Sequence, residues 1–136
     1  MIELDEELPV RLITALAESS PQHYNQRLKS RQRGLHLAIE FIDEYCQYNP
    51  NIPDICDATG LSWRSLDRAF KESFGIGPKR YLLNLRLLNV RRQLKSAPSN
   101  TRVADVANNL GFWHMGDFAR EYRKMYCELP GKTLTR

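Results

Sequence analysis

Apolar residues recur along this chain at steps of three and four, the spacing of helix faces. Leu8, Leu12, Ile13 and Leu16 form a first short stripe between Asp5 and Ala17, which Ser19-Ser20-Pro21 breaks. A polar, basic stretch follows (Arg27, Lys29, Arg31, Arg33) and reads as a linker. From about Ser30, the residues Leu35, Ala38, Ile39, Ile42, Tyr45 and Cys46 mark one face of a helix. It should stop before Asn49-Pro50, because proline disfavours helical backbone at the residue before it. Next come a short helix through Ile55, a turn at Gly60, Ser62 as N-cap and a longer helix to Phe74 with Leu66 and Phe70 on its core face. Gly75-Ile76-Gly77-Pro78 ends that helix, and Pro78 suits the first turn of another. The new helix, roughly 78 to 96, carries Leu83, Leu87, Val90 and Leu94 on one stripe and Tyr81, Leu85 and Leu88 on another. Two stripes imply two packing neighbours. Pro98-Ser99-Asn100 ends it, Thr101 is expected to cap a second short helix, and a further amphipathic helix runs to about Tyr126 with Phe118 and Tyr122 inward.

These elements fall into a repeat. Ile52, Ile55, Cys56, Gly60, Leu61, Leu66, Arg68, Phe70, Lys71, Phe74 and Pro78 return as Val103, Val106, Ala107, Gly111, Phe112, Phe118, Arg120, Tyr122, Arg123, Tyr126 and Pro130. The offset is 51 residues as far as Leu61 and Phe112 and 52 from Leu66 and Phe118 onward, so the second copy carries one extra residue just past its turn. Asp54 and Asp105 recur as well. A short helix, a glycine turn and a longer amphipathic helix together make a helix-turn-helix, in which glycine permits the abrupt change of direction. The expected fold is therefore all-α, with two helix-turn-helix lobes joined by a long central helix and about seven helices in total. Residues 1–32 read as a helix remnant and basic linker. Lobe one covers about 33–77, the linker helix about 78–96 and lobe two about 97–136.

Charge sharpens this picture. Residues 1–20 hold five acids (Glu3, Asp5, Glu6, Glu7, Glu18) and one base, Arg11, which leaves 19 bases against 11 acids in the rest. A body of net +8 suits phosphate binding, where each cation placed on a phosphate releases counterions, although a solvated helical face would look similar. The three cysteines (Cys46, Cys56 and Cys127) are far apart and odd in number, implying neither a metal site nor a disulfide framework. Cys56 and Cys127 are expected to be small packing residues. No signal peptide or membrane-length apolar run is present, so a cytoplasmic, nucleoid-associated location is expected. Carboxylates and histidines are dispersed, no nucleophile–base pair is visible and no glycine-rich phosphate loop occurs. An enzyme and a cofactor are therefore not expected. A helical ligand- or protein-binding module built on the same scaffold remains the alternative to a DNA reader.

The motifs resemble the DNA-binding domain of the AraC/XylS family of bacterial transcription regulators over about residues 33–134. The likeness rests on Leu66-x-Arg68-x-Phe70-Lys71, Gly75-x-Gly77-Pro78-x-x-Tyr81, Arg86, Val103-x-x-Val106-Ala107-x-x-x-Gly111-Phe112 and Phe118-x-Arg120-x-Tyr122-Arg123. Cys127 stands where the family prefers glycine, Leu129 where it prefers Ser or Thr, Thr133-Leu134 where it usually has Tyr-Arg, and His114 replaces the usual serine cap. Gly75-Ile76-Gly77-Pro78, Arg86-Leu87-Leu88-Asn89-Val90-Arg91-Arg92 and Gly111-Phe112-Trp113-His114 resemble one subgroup, the regulators of ethanolamine-utilisation operons. The resemblance implies double-stranded DNA and RNA polymerase as partners, activation as the usual output, an effector-sensing domain upstream, and a structural role for Arg86.

In a helix-turn-helix the second helix lies in the major groove with its N-terminal side chains at base edges. Helical spacing leaves Trp63, Arg64, Asp67, Arg68 and Lys71 on the outer face of the first such helix. Arginine matches guanine O6 and N7, and Asp67 could accept from cytosine N4. On a solvated face Asp67 would instead pair with Arg64 or Arg68. The second such helix offers His114, Met115, Gly116, Asp117, Arg120 and Arg123, with His114 as a cap or phosphate donor. Trp63 could pack on sugar or cover the turn. Trp113 is expected to pack into the core or the turn, with a base-stacking platform as the alternative. Lys79, Arg80, Arg91, Arg92 and Lys95 surround the central helix as backbone contacts or partners of acids.

Overall fold

The structure, a computed structural model, describes residues 21–135. The stripe Leu8, Leu12, Ile13 and Leu16 lies outside the described residues. Helix α1 spans Pro21–Tyr45 and tightens into a 3₁₀ turn at Cys46–Tyr48. Its start corrects the linker reading of 21–32, which is helical throughout. Between Pro21 and Gly34 stand mostly good helix formers and no breaker. Arg31 also ties this part of α1 to the first repeat, its Nη1 donating to Glu72 Oε1 at 3.1 Å.

Helices α2 (Ile52–Thr59) and α3 (Trp63–Phe74) form the first helix-turn-helix. Asn51 starts α2 with a reciprocal capping box: its Oδ1 accepts from the Asp54 N–H at 2.8 Å, and Asp54 Oδ2 accepts from the Asn51 N–H at 3.0 Å. Gly60 makes the turn at φ 71°, a left-handed conformation in which Cβ would crowd the carbonyl, and the Ser62 hydroxyl accepts from the Ser65 N–H to cap α3. Behind this turn α1 comes so close at Gly34 that a Cβ there would stand 2.5 Å from Leu61 Cδ1. Any side chain at 34 would force the Leu61 side chain to move.

Helix α4 (Pro78–Ser96) is the central rod. Helices α5 (Val103–Asn109), α6 (Met115–Tyr126) and α7 (Pro130–Thr135) complete the second half. Thr101 is not the cap of α5. That place falls to Arg102, whose side chain makes no capping bond. Each half has its own core. Ala38, Ile42, Ile55, Leu66, Phe70 and Leu82 form one, with Tyr81 and Leu85 packed on it. Leu87, Val90, Leu94, Val106, Ala107, Leu110, Phe118 and Tyr122 form the other, with Leu83 beside it. Helix α4 feeds both, because Leu82 and Leu87 lie about 140° apart around it at about 100° per residue.

The second core is closed by a polar network. Thr133 Oγ1 donates to Glu128 Oε1 at 2.7 Å, so its single proton is used and Tyr122 must donate to the Thr133 oxygen, also at 2.7 Å. Arg91 Nη1 reaches Glu128 Oε1 at 3.3 Å and its guanidinium lies 4.3 Å from the centre of the Tyr126 ring. Arg86 carries its charge half-buried beside the first core, where loss of solvent pulls its pKa below the ordinary arginine value.

Candidate nucleic-acid interface

The two second helices, α3 and α6, carry the residues expected to read DNA. In α3 the apolar face of Leu66, Ala69 and Phe70 is buried. The opposite face exposes Arg64, Arg68 and Lys71, and Trp63 at the first helical position is 48% exposed. Arg64 makes no ion pair with a described residue, so its guanidinium is free to leave the helix surface. Arg68 is held: its Nε donates to Glu72 Oε1 at 3.0 Å, the same carboxylate that Arg31 grips. Partial burial pushes the Glu72 carboxyl up, but the hydrogen bonds from Arg68 and Arg31 prevail and leave it below the ordinary value.

The ion pair expected for Asp67 on a solvated face forms with a different partner. Asp67 pairs with Lys71, Nζ to Oδ2 at 2.8 Å, rather than with Arg64 or Arg68. Its other oxygen, Oδ1, lies 2.9 Å from where a Cβ on Gly77 would stand, at the start of α4. A carboxylate at the positive end of a helix that lacks a side-chain cap is favourable. Turned back toward α4, this acid is only 26% exposed.

In α6 the buried side chains are Phe118 and Tyr122. His114, Gly116, Asp117, Arg120 and Arg123 are exposed. His114 occupies the cap position, yet its side chain makes no capping bond. Space around Gly116 is open, with nothing within 4 Å of an added Cβ. Arg120 Nη2 pairs with Asp117 Oδ1 one turn back, whereas Arg123 makes no ion pair with a described residue. Met115, expected outward, is partly buried and packs against the second core.

Trp113 is the largest departure in the opposite sense. Expected to pack, it is 74% exposed. Phe112 takes the inward position instead, its ring 4.9 Å from that of Phe118. The extra residue of the second copy therefore lengthens the turn between Gly111 and α6, and the indole stands on that longer turn. Cys127 is also exposed rather than packed. It ends α6 in the left-handed conformation, φ 58°, just as Gly75 ends α3 at φ 72°. Cys56 does lie against the first core. The capping box at Asn51 and the close approach at Gly34 are further features missed in the sequence. Asn-x-x-Asp was a legible signal for the first, while the second depends on a neighbour 27 positions away.

Two helix-turn-helix units of matched construction, each presenting a basic outer face and joined by one rigid helix, define a tandem helix-turn-helix DNA-binding domain. Residues 55–136 match the family described as a helix-turn-helix domain. The chain is 34% identical over 97 residues to the XylDLEGF operon transcriptional activator of Pseudomonas putida, covering 71% of this chain and 30% of that protein. It is 31% identical over 121 residues to the HTH-type transcriptional activator RhaS of Escherichia coli O157:H7, covering 89% and 42%. A crystal structure of a probable AraC family transcriptional regulator from Rhodopseudomonas palustris CGA009 superposes with a TM-score of 0.69 at 31% identity, over 76% of this chain and 95% of that one. The chain belongs to the AraC-type helix-turn-helix family of DNA-binding transcription regulators. It spans less than half the length of the two activators.

Proposed function

We propose that this chain reads a specific DNA site as a monomer, with α3 and α6 in successive major grooves of one face of the duplex. One observation carries the reading: both second helices keep a basic, exposed face while α4 joins their lobes through buried contacts at each. At 1.5 Å per residue its 19 residues span about 28 Å, near the roughly 34 Å between successive groove entries. Arg64 and Arg68 from α3, and Arg120 and Arg123 from α6, are the base-reading candidates. Lys71 and His114 are phosphate donors, and Gly116 allows close approach of backbone. Trp63 packs at the groove edge. Met115 supports α6 from the core side, and Asp67 and Asp117 hold Lys71 and Arg120 until DNA competes for them.

The regulatory output that fits the activators above is activation through RNA polymerase, under an effector-sensing domain located upstream, in the bacterial cytoplasm. No described helix is long and apolar enough to cross a membrane. The finer likeness to regulators of ethanolamine-utilisation operons rests on three short motifs. The test is selection from a pool of randomised duplexes. Recovery of an asymmetric site with two specified patches supports the reading, and recovery of no consensus favours the rival helical protein-binding module.

A further inference from the structure

Trp113 is unusual for where it stands as well as for how exposed it is. An indole is among the largest apolar side chains, and leaving it in water forgoes the stabilisation that burial would supply. The fold has an inward place on this turn and gives it to Phe112. The chain's only other tryptophan, Trp63, lies at the equivalent end of the first recognition helix, also half exposed. Both indoles therefore sit at the N-terminal ends of the helices that face DNA. His114, next in sequence, is exposed, and the helix that follows exposes Arg120. An indole suits a sugar–phosphate strand: its face covers deoxyribose, and its N–H, a donor only, reaches a phosphate oxygen.

From this placement we propose that Trp113 is a DNA-backbone contact of the second lobe, its indole laid against the sugar–phosphate strand bordering the groove that α6 enters. The inference rests on the two-groove reading above. It adds that the longer turn of the second unit gives that lobe a hold on the strand which a polar residue there would not supply. Trp113 thus contributes affinity common to all sequences, and base preference stays with the arginines.

The test uses the full chain with Trp63→Phe, so that Trp113 is the sole tryptophan, and the tightest duplex recovered from a randomised pool by the unaltered protein. Binding is followed independently by the anisotropy of a dye on the duplex. At saturation Trp113 emission should shift to the blue and its quenching by acrylamide should fall severalfold. In the otherwise unaltered chain, Trp113→Ala should lower affinity by roughly tenfold on every duplex without altering the selected consensus. Because Trp113 is exposed, thermal unfolding of that variant should match the parent, which separates lost contact from lost fold. Saturation of the duplex with unchanged Trp113 emission and quenching would overturn the proposal while leaving the two-groove reading intact. Trp113→Ala with full affinity would do the same. If the unaltered protein recovers no duplex above background, the proposal falls together with the reading on which it rests.

Discussion

Asn49 and Gly111 fit against one another across the two lobes. Asn49 ends the 3₁₀ turn after α1 with φ 51°, and Gly111 makes the second helix-turn-helix bend with φ 87°. A Cβ on Gly111 would stand 3.3 Å from Asn49 Nδ2 and 3.4 Å from its Cγ. The bend that aims α6 is thus backed by the first lobe, and Arg80 Nη1 adds a tie from α4 to Glu121 on α6 at 2.8 Å. Gly111→Ala should lose about 1–2 kcal/mol to the left-handed backbone alone, with more from the crowded Asn49, measured by urea unfolding. Asn49→Gly keeps the backbone conformation and removes the side chain. It should leave the consensus of each patch unchanged while broadening the accepted distance between patches in a selection experiment.

Spacing follows from the same rigidity. With lobes held by α4, Asn49 and Arg80, insertion of about five base pairs between the two patches turns one groove to the far side of the duplex. Affinity should drop to that of a single lobe. Equal affinity at every spacing would show that the lobes move freely.

Single-arginine variants should separate the two readers. Arg68→Ala and Arg120→Ala, and likewise Arg64→Ala and Arg123→Ala, should each cost about 1–3 kcal/mol if the side chain grips a base bidentately. Those in α3 should relax one patch and those in α6 the other, read by repeating the selection with each variant. Lys71→Ala should weaken all sequences evenly. Glu72→Gln removes the carboxylate that restrains Arg68 and should strengthen binding to random duplex DNA. Affinity overall should fall steeply between about 50 and 200 mM salt, as expected for several phosphate contacts.

Acid should weaken the fold through two glutamates. The Glu72 carboxyl lies below its ordinary pKa of 4.5 because the Arg68 and Arg31 hydrogen bonds overcome burial, and the Arg80 hydrogen bond lowers that of Glu121. Each folded-state pKa lies below the unfolded one, so each contribution is complete above pH 4.5 and is lost as pH falls through the lowered value. Urea midpoints measured between about pH 6 and pH 3 should decline, and less so in Glu72→Gln/Glu121→Gln. An identical slope in that variant would remove both residues from the account.

Cys127→Gly should stabilise the protein. A non-glycine residue in the left-handed cap carries a penalty of about 1 kcal/mol, which glycine at the matched position Gly75 avoids. Thermal unfolding should rise by a few degrees, whereas Gly75→Ala should lower it by a similar amount.

The helical spacing of Leu66, Phe70, Phe118 and Tyr122 made the architecture legible because those contacts repeat every turn and need no knowledge of distant neighbours. The bounds Pro78–Ser96 were equally readable from proline at both ends. What escaped depends on contacts between segments far apart. The helix at 21–32 is backed by Glu72, the fit of Gly34 by Leu61, and the fit of Gly111 by Asn49. Trp113 departs from its expected packing for a different reason: the second turn has one residue more than the first, and only the placed backbone shows that Phe112 fills the interior. Spacing put Arg64 and Arg68 on the outer face of α3 and Arg120 and Arg123 on that of α6. It could not tell that Asp67 turns toward Gly77 or that Met115 leans on the core.

The sharing of α4 has a consequence for any attempt to take the molecule apart. A chain cut at Ala97 would leave Leu87, Val90 and Leu94 uncovered in water, and a chain begun there would lack the largest wall of its own interior. Neither half is an exchangeable cassette. Grafting the second reader of a relative onto this first reader requires the donor's α4 surface to travel with it, and heat should dismantle both readers in one transition.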